Sequence, residues 1–176
     1  MIFTETKLKG AYIIGIEKHE DERGFFARSW CKREFQEIGL NTNILQSNIA
    51  FSKRRGTLRG LHYQTKPYEE TKFIRCTKGI VYDTIIDLRP ESSTYKKWVG
   101  IDLAEDNYRM LYVPEGFAHG YVTLTDNVEV SYQVSQFYAL RYERGIRYND
   151  PAFGINWPID ILVISDKDKS WPDYCL

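Results

Sequence analysis

A chain of 176 residues with a formal net charge of zero has room for one domain with a sizeable core and lacks the basic field that draws nucleic acid or an anionic membrane. Anion binding must therefore be local, from a few placed Arg and Lys. Thirteen Tyr and nine Phe suit a β-rich fold and can supply stacking surfaces.

Residues 1–5 show no basic segment followed by an apolar one, so no signal peptide is expected, and no apolar run approaches a membrane span. Residues 11–16 are apolar and β-branched and predict a strand. Asp21-Glu22-Arg23-Gly24 signals a turn, followed by Phe25, Phe26 and Arg28. Residues 32–38 predict a short helix stopped by Gly39. Beyond it almost everything reads as strand. In 80–88, Ile80, Tyr82, Thr84, Ile86 and Leu88 share one face, and Val81, Asp83, Ile85 and Asp87 the other. Residues 98–103, 110–113, 117–124 and 128–134 predict further short strands, separated by Gly, Pro, Asn and Asp. Such spacing predicts an antiparallel sandwich or barrel rather than a parallel sheet with crossover helices. From Tyr142 onward, Gly, Pro and Trp predict extended cover with a helical turn over one end of the barrel. Cys31, Cys76 and Cys175 stand at unrelated spacings that form neither a zinc site nor a disulfide framework, which points to a reducing, cytoplasmic setting.

The densest chemistry lies in Arg59-Gly60-Leu61-His62-Tyr63-Gln64. Arg59 can hold an anion with a planar fork, and His62 can exchange protons near neutral pH. Strict alternation over 57–64 puts these two side chains on opposite faces. If both serve one cavity, a bulge or twist near Gly60 must break the alternation. Alternation also turns Tyr132 inward with Val128, Val130 and Val134, and places His119 with Phe117, Tyr121 and Thr123. Polar tips inside an apolar barrel need partners or a ligand.

His19, His62 and His119 are the only histidines, and Gln64 stands two residues after His62, so no clustered metal ligands are expected. No Gly-x-Ser-x-Gly elbow is present, and no Cys lies in sequence beside a His. Proton transfer, with His62 as base and a phenol as acid, is the simplest chemistry on offer.

Asp21-x-Arg23-Gly24-x-Phe26, Gln46-x-Asn48, Leu58-Arg59-Gly60-Leu61-His62-Tyr63-Gln64, Lys72, Asp87-x-Arg89, Pro114-x-Gly116-Phe117-Ala118-His119-Gly120, Gly145-Ile146, Asn149-Asp150-Pro151, Trp157-Pro158 and Ser165-x-Lys167-Asp168 follow one another in order. Together they resemble the dTDP-4-dehydrorhamnose 3,5-epimerase family of cupin-like jelly rolls, over nearly the whole chain. The resemblance implies a mainly β, double-stranded β-helix jelly roll with a few short helices, as one domain over 1–176. It implies a cofactor-free, metal-independent isomerase acting on a nucleotide-linked 4-keto-6-deoxyhexose, and a homodimer with N-terminal strands crossing between subunits. Carried over by motif, His62 is the base, Tyr132 the acid, Asp168 the partner that orients His62, and Lys72 the cation at the enolate oxygen. His119 would bond the sugar, and Arg23 and Arg59 would grip the diphosphate. Gln46 and Asn48 would contact nucleotide or sugar, Tyr138 would stack on the base, and Glu143 and Lys167 would complete the pocket. Asp87 and Arg89 fit a structural role and stay outside the site.

Arg28 departs from the pattern, since thymidine-specific members commonly carry Glu there; a Glu only accepts hydrogen bonds and an Arg only donates them. Arg28 is kept among the nucleotide-binding candidates with dTDP as the first expectation, and CDP, UDP or GDP sugars stay open. Inversion at C3 alone or C5 alone, and a keto-isomerase using the same base, are sister readings. A non-catalytic nucleotide-sugar-binding jelly roll is the reading from another class.

Overall fold

The computed structural model describes residues 1–174, so Cys175 lies outside the described residues. The elements run β1 (Ile2–Glu5), β2 (Tyr12–Gly15), β3 (His19–Asp21), β4 (Gly24–Phe26), α1 (Lys32–Glu37), β5 (Gln46–Ser52), β6 (Leu58–Gln64), β7 (Lys72–Lys78), β8 (Ile80–Asp87), β9 (Trp98–Ala104), β10 (Met110–Val113), β11 (Phe117–Thr123) and β12 (Val128–Val134). A 3-10 turn (Leu140–Tyr142), β13 (Glu143–Gly145) and α2 (Asp166–Lys169) follow. One sheet has the order β1-β2-β10-β7-β12-β5 and the other β13-β6-β11-β8-β9, while β3 and β4 form a separate hairpin. The pairings are antiparallel, and neighbours distant in sequence, such as β6 beside β11, give the jelly-roll winding.

The two sheets face each other across one apolar core. Ile74, Cys76, Leu111, Val113, Val128 and Val130 come from the first sheet, and Val81, Ile85, Ile101, Leu103, Phe117 and Tyr121 from the second. Alternation then turns other apolar residues outward, and these need cover of their own. On the first sheet Ile14, Met110 and Tyr112 are covered by Phe35 of α1 with Phe3 and Trp30. On the second sheet Leu61, Ile86, Leu88 and Ala118 are covered by Ile146, Phe153, Ile155 and Trp157. Residues 146–157 of the segment after Tyr142 therefore lie over an outer sheet face, which Ile86 and Leu88 leave apolar, while 163–165, Lys167 and Asp168 line the cavity between the sheets.

Two of the longer strands escape a reading by hydrophobic pattern. β5 (Gln-Ser-Asn-Ile-Ala-Phe-Ser) turns its polar and small residues inward and leaves Ile49 71% and Phe51 46% exposed on the outer face. β7 opens with Lys72 and follows a loop containing Lys66, Glu69 and Glu70.

Asp87 and Arg89 form a structural knot. The fully buried Asp87 carboxylate accepts from Arg89 Nε (2.9 Å) and Nη2 (2.8 Å), Ser92 Oγ (2.6 Å) and Thr94 Oγ1 (2.6 Å). Burial alone would raise its pKa, but Arg89, Ser92 and Thr94 outweigh burial and hold it at about 2. A carboxyl depressed from 3.8 to about 2 contributes roughly 2 kcal/mol at neutral pH, present above the unfolded value and lost as pH falls through the folded one. Asp87→Asn is expected to lower the unfolding free energy by roughly 2 kcal/mol at neutral pH. The gap to the parent should close as denaturant titrations are repeated toward about pH 2.

Candidate active site

The register between β6 and β11 explains how Arg59 and His62 reach one cavity. His119 pairs with His62 and Tyr121 with Arg59, with a register shift between the two pairs. One residue, Gly120, separates the β11 partners, while Gly60 and Leu61 separate those on β6. The extra residue on β6 is a bulge that resets the alternation, so Arg59 and His62 share a face. Gly60 has φ +112°, and a Cβ there would lie 2.7 Å from both the Gly120 Cα and the His119 carbonyl oxygen. Only glycine fits this close approach of two backbones. The Gly60–Leu61 peptide is cis.

The cavity has two lobes. The first, about 530 Å³, is lined by Arg59, His62, Lys72, His119, Tyr121, Tyr132, Lys167 and Asp168, with Ala50, Thr57, Leu58 and 163–165. The second, about 330 Å³, is lined by Gln46, Asn48, His62, Tyr63, Gln64, Glu70, Lys72, Tyr132, Val134, Tyr138 and Glu143. His62, Lys72 and Tyr132 line both, so the lobes join at these three side chains. His62 comes from β6 in one sheet; Tyr132 on β12 and Lys72 on β7 come from the sheet opposite. Base and acid candidates therefore face each other across the barrel.

His62 Nε2 lies 2.6 Å from Asp168 Oδ1. Asp168 also accepts from the Gly60 N–H (3.3 Å), and its own N–H donates to Ser165 Oγ, which caps α2 (3.1 Å). Burial would raise the Asp168 pKa, but the bonds from His62, Gly60 and Ser165 prevail and hold it below the usual range. An ionised carboxylate only accepts, so Nε2 carries the shared hydrogen and Nδ1 keeps a free lone pair. Tyr132 is pushed the other way. Burial first, and then the nearby Glu70 charge, raise its phenol pKa, which keeps it protonated as an acid must be. Lys72 Nζ donates to Glu70 Oε1 (2.7 Å).

His119 sits directly across from His62 and pairs through Nε2 with Asp83 Oδ2 (2.9 Å). Asp83 is fully buried with Oδ1 unpartnered, and burial drives its pKa up against the pull of His119 and Lys72. Arg59 donates to Ser52 Oγ (3.0 Å) and the Phe51 carbonyl (2.8 Å). In the second lobe, Glu143 accepts from Tyr138 Oη (2.8 Å) and Lys167 Nζ (2.5 Å). Burial raises its pKa, but those two donors bring it below the usual range. Gln46 Oε1 accepts from the Tyr138 N–H (2.9 Å), and Asn48 lies opposite Tyr132 in the β5–β12 register. Gln64 fixes the same loop, accepting from the Ala139 N–H (2.7 Å) and donating to the Phe137 carbonyl (3.2 Å).

The structure thus gathers His62, Tyr132, Asp168, Lys72, Arg59, His119, Lys167, Gln46, Asn48, Tyr138 and Glu143 around one cavity. Arg23 and Arg28 line neither lobe. Arg23 pairs with Asp21 on the exposed β3–β4 hairpin (2.5 Å), and Arg28 with Glu34 (3.2 Å). Glu70, Asp83 and Tyr121 are the site residues that sequence reasoning missed. Inward alternation in β8 and β11 already marked Asp83 and Tyr121; Glu70 lies in a loop and carried no such signal. Among the described residues, no group of three or more His, Cys, Asp or Glu is placed to hold a metal ion, and no helix is long and apolar enough to cross a membrane.

Residues 5–175 match the family model described as dTDP-4-dehydrorhamnose 3,5-epimerase. A protein of that name from Methanothermobacter thermautotrophicus is 43% identical over 173 residues, 96% of this chain and 92% of the relative. The crystal structure of dTDP-4-dehydrorhamnose 3,5-epimerase from Bacillus anthracis with TDP and PPi bound superposes with a TM-score of 0.94 at 38% identity, covering 98% of this chain and 99% of that one. A dTDP-6-deoxy-D-glucose-3,5-epimerase from Legionella pneumophila, in complex with dTDP-4-keto-L-rhamnose, gives 0.89 at 32% identity, covering 99% of each chain.

Proposed function

The chain belongs to the dTDP-4-dehydrorhamnose 3,5-epimerase family, and we propose that it inverts C3 and C5 of dTDP-4-dehydro-6-deoxyglucose by proton transfer through an enolate. One observation carries this reading. A His–carboxylate pair and a buried phenol face each other from opposing sheets where the two lobes meet, with an ammonium beside the phenol.

C3 and C5 both flank the C4 ketone, so a proton on either carbon is acidic once the resulting enolate is stabilised. His62 takes the proton at Nδ1, and Asp168 stabilises the imidazolium that forms. The C–H electron pair moves onto the C4 oxygen, next to the Lys72 ammonium. Tyr132 then returns a proton to the same carbon from the opposite face, which inverts it. Solvent takes up the proton held by His62 and restores the one lost by Tyr132. His119, opposite His62, is suited to hold a sugar hydroxyl. Arg59 and Lys167 supply positive charge for the diphosphate, and Tyr138, with Gln46 and Asn48 nearby, offers a face for the base.

Arg23 and Arg28 belong to the nucleotide end of the same proposal through a homodimer. Ile49 and Phe51 are exposed on the outer face of β5 and Phe26 is 71% exposed on the hairpin, large apolar side chains of the kind that partners cover. A second copy seated there would receive Arg23 and Arg28 from the N-terminal strands. We further read the chain as one jelly-roll domain in a cytoplasmic, reducing setting, where unpaired Cys31 and Cys76 are stable. Turnover of dTDP-, CDP-, UDP- and GDP-linked 4-keto-6-deoxyglucose, with product configuration read by NMR, tests the substrate. Conversion of the dTDP sugar to the L-lyxo 4-keto product is expected; preference for another nucleotide would overturn the base assignment, and no conversion of any would overturn the function.

A further inference from the structure

Asp168 reaches His62 from α2, a helix of four residues. The approach to that helix is fixed by the Leu58 N–H donating to the Val163 carbonyl (2.8 Å) and by the isolated bridge between Thr57 and Val163. What fixes its exit is Trp171. In the β6–β13 register, Gly145 lies directly opposite His62. Side chains at directly paired positions point to the same face, with Cβ atoms about 4.5–5.5 Å apart. Gly145 has no side chain, and the place one would fill is taken by the Trp171 indole, whose Cε2, Nε1 and Cδ1 atoms a Cβ there would overlap. The indole therefore occupies the cross-strand position next to His62, three residues after Asp168. Trp171 Nε1 is buried without a hydrogen-bond partner, so the ring is held by its shape. Lys167 Nζ lies 5.9 Å from the ring centroid while it donates to Glu143.

We propose that Trp171 is a positioning residue of the active site, whose indole, seated in the gap that Gly145 leaves opposite His62, locks α2 so that Asp168 meets the imidazole. This rests on the reading of His62 as the base and Asp168 as its partner. The indole acts through α2 and touches no reacting atom in this account. A larger residue at 145 and a smaller one at 171 are then two ways to the same defect. Phenylalanine at 171 keeps a flat ring and forfeits no hydrogen bond.

The test uses the full chain. Trp171→Ala is expected to lower kcat about 10–100-fold, as loss of a supporting partner does elsewhere, with Trp171→Phe recovering most of it. In an Asp168→Asn background the same Trp171→Ala change should cost less than about twofold, because its effect passes through the lost carboxylate. An equal loss in both backgrounds would show a merely structural role and overturn the proposal. A second readout does not depend on turnover or on substrate identity. The imidazole N–H that His62 shares with Asp168 is observable by nitrogen-edited proton NMR, with the His119–Asp83 signal as internal reference. Trp171→Ala should weaken or move the first signal and leave the second. Gly145→Ala, which pushes a methyl into the indole, should do the same even if Trp171→Ala does not fold. If Asp168→Asn removes the His62 signal while Trp171→Ala and Gly145→Ala leave it untouched, Trp171 has no positioning role and the base assignment stands. If Asp168→Asn also leaves it untouched, the pairing of His62 with Asp168 falls instead.

Discussion

His62→Ala is expected to lower kcat/KM by roughly 10²–10⁴-fold, the usual contribution of a positioned base, and to end proton exchange at both C3 and C5. The loss follows from the position of the imidazole. It lines both lobes of the cavity, and its Nε2 is committed to Asp168 at 2.6 Å, leaving Nδ1 as the free basic nitrogen. No second group replaces it. His119, directly across the ladder, is paired with a fully buried carboxyl, and Lys72 is paired with Glu70. The imidazole is also partly exposed, so truncation leaves no sealed apolar void and the variant should keep its fold. Steady-state kinetics with a thermal melt on the same sample checks both points. Full activity in His62→Ala would show that another group is the base.

Tyr132→Phe has the second largest expected effect, and its signature differs. Inversion should fall by about 10²-fold or more, while exchange of the substrate's own protons persists at a measurable rate. The base can still remove a proton and return one to the face it came from; what disappears is donation from the opposite side. Tyr132 packs against the barrel core with its ring, and phenylalanine preserves that packing. Burial and the neighbouring Glu70 carboxylate keep the phenol protonated, so its role as donor extends across the neutral range. Equal loss of inversion and exchange would instead make Tyr132 part of the proton-removing machinery.

Much of this arrangement was legible in the amino-acid sequence. Period-two alternation gave β8, β10, β11 and β12 nearly to the residue, and it turned Tyr132 and His119 inward. The conflict between that alternation and a shared cavity for Arg59 and His62 pointed to an irregularity at Gly60, where the structure has a bulge with φ +112°. The less legible parts have physical causes. β5 hides its strand character because its inward residues serve the site rather than the core, and its apolar residues point out. Asp83 enters the site as the partner of His119 on the neighbouring strand, which is invisible until the register is known, and Glu70 as the partner of Lys72 from a loop that carries no periodic signal. Arg23 and Arg28 carry the opposite lesson. The motif placed Arg23 at the nucleotide and Arg28 was kept there as a departure from it, yet neither side chain lines either lobe. A local motif does not by itself fix where its side chains come to lie relative to the cavity.

The most direct test of proton transfer between His62 and Tyr132 is position-resolved deuterium uptake. The protein is incubated with dTDP-4-keto-6-deoxyglucose in D2O, and label at C3 and C5 is followed by NMR. The wild-type chain should place deuterium at both carbons of the inverted product, His62→Ala at neither, and Tyr132→Phe into sugar that keeps its starting configuration. Inversion without solvent deuterium, or unchanged labelling in His62→Ala, would contradict the account.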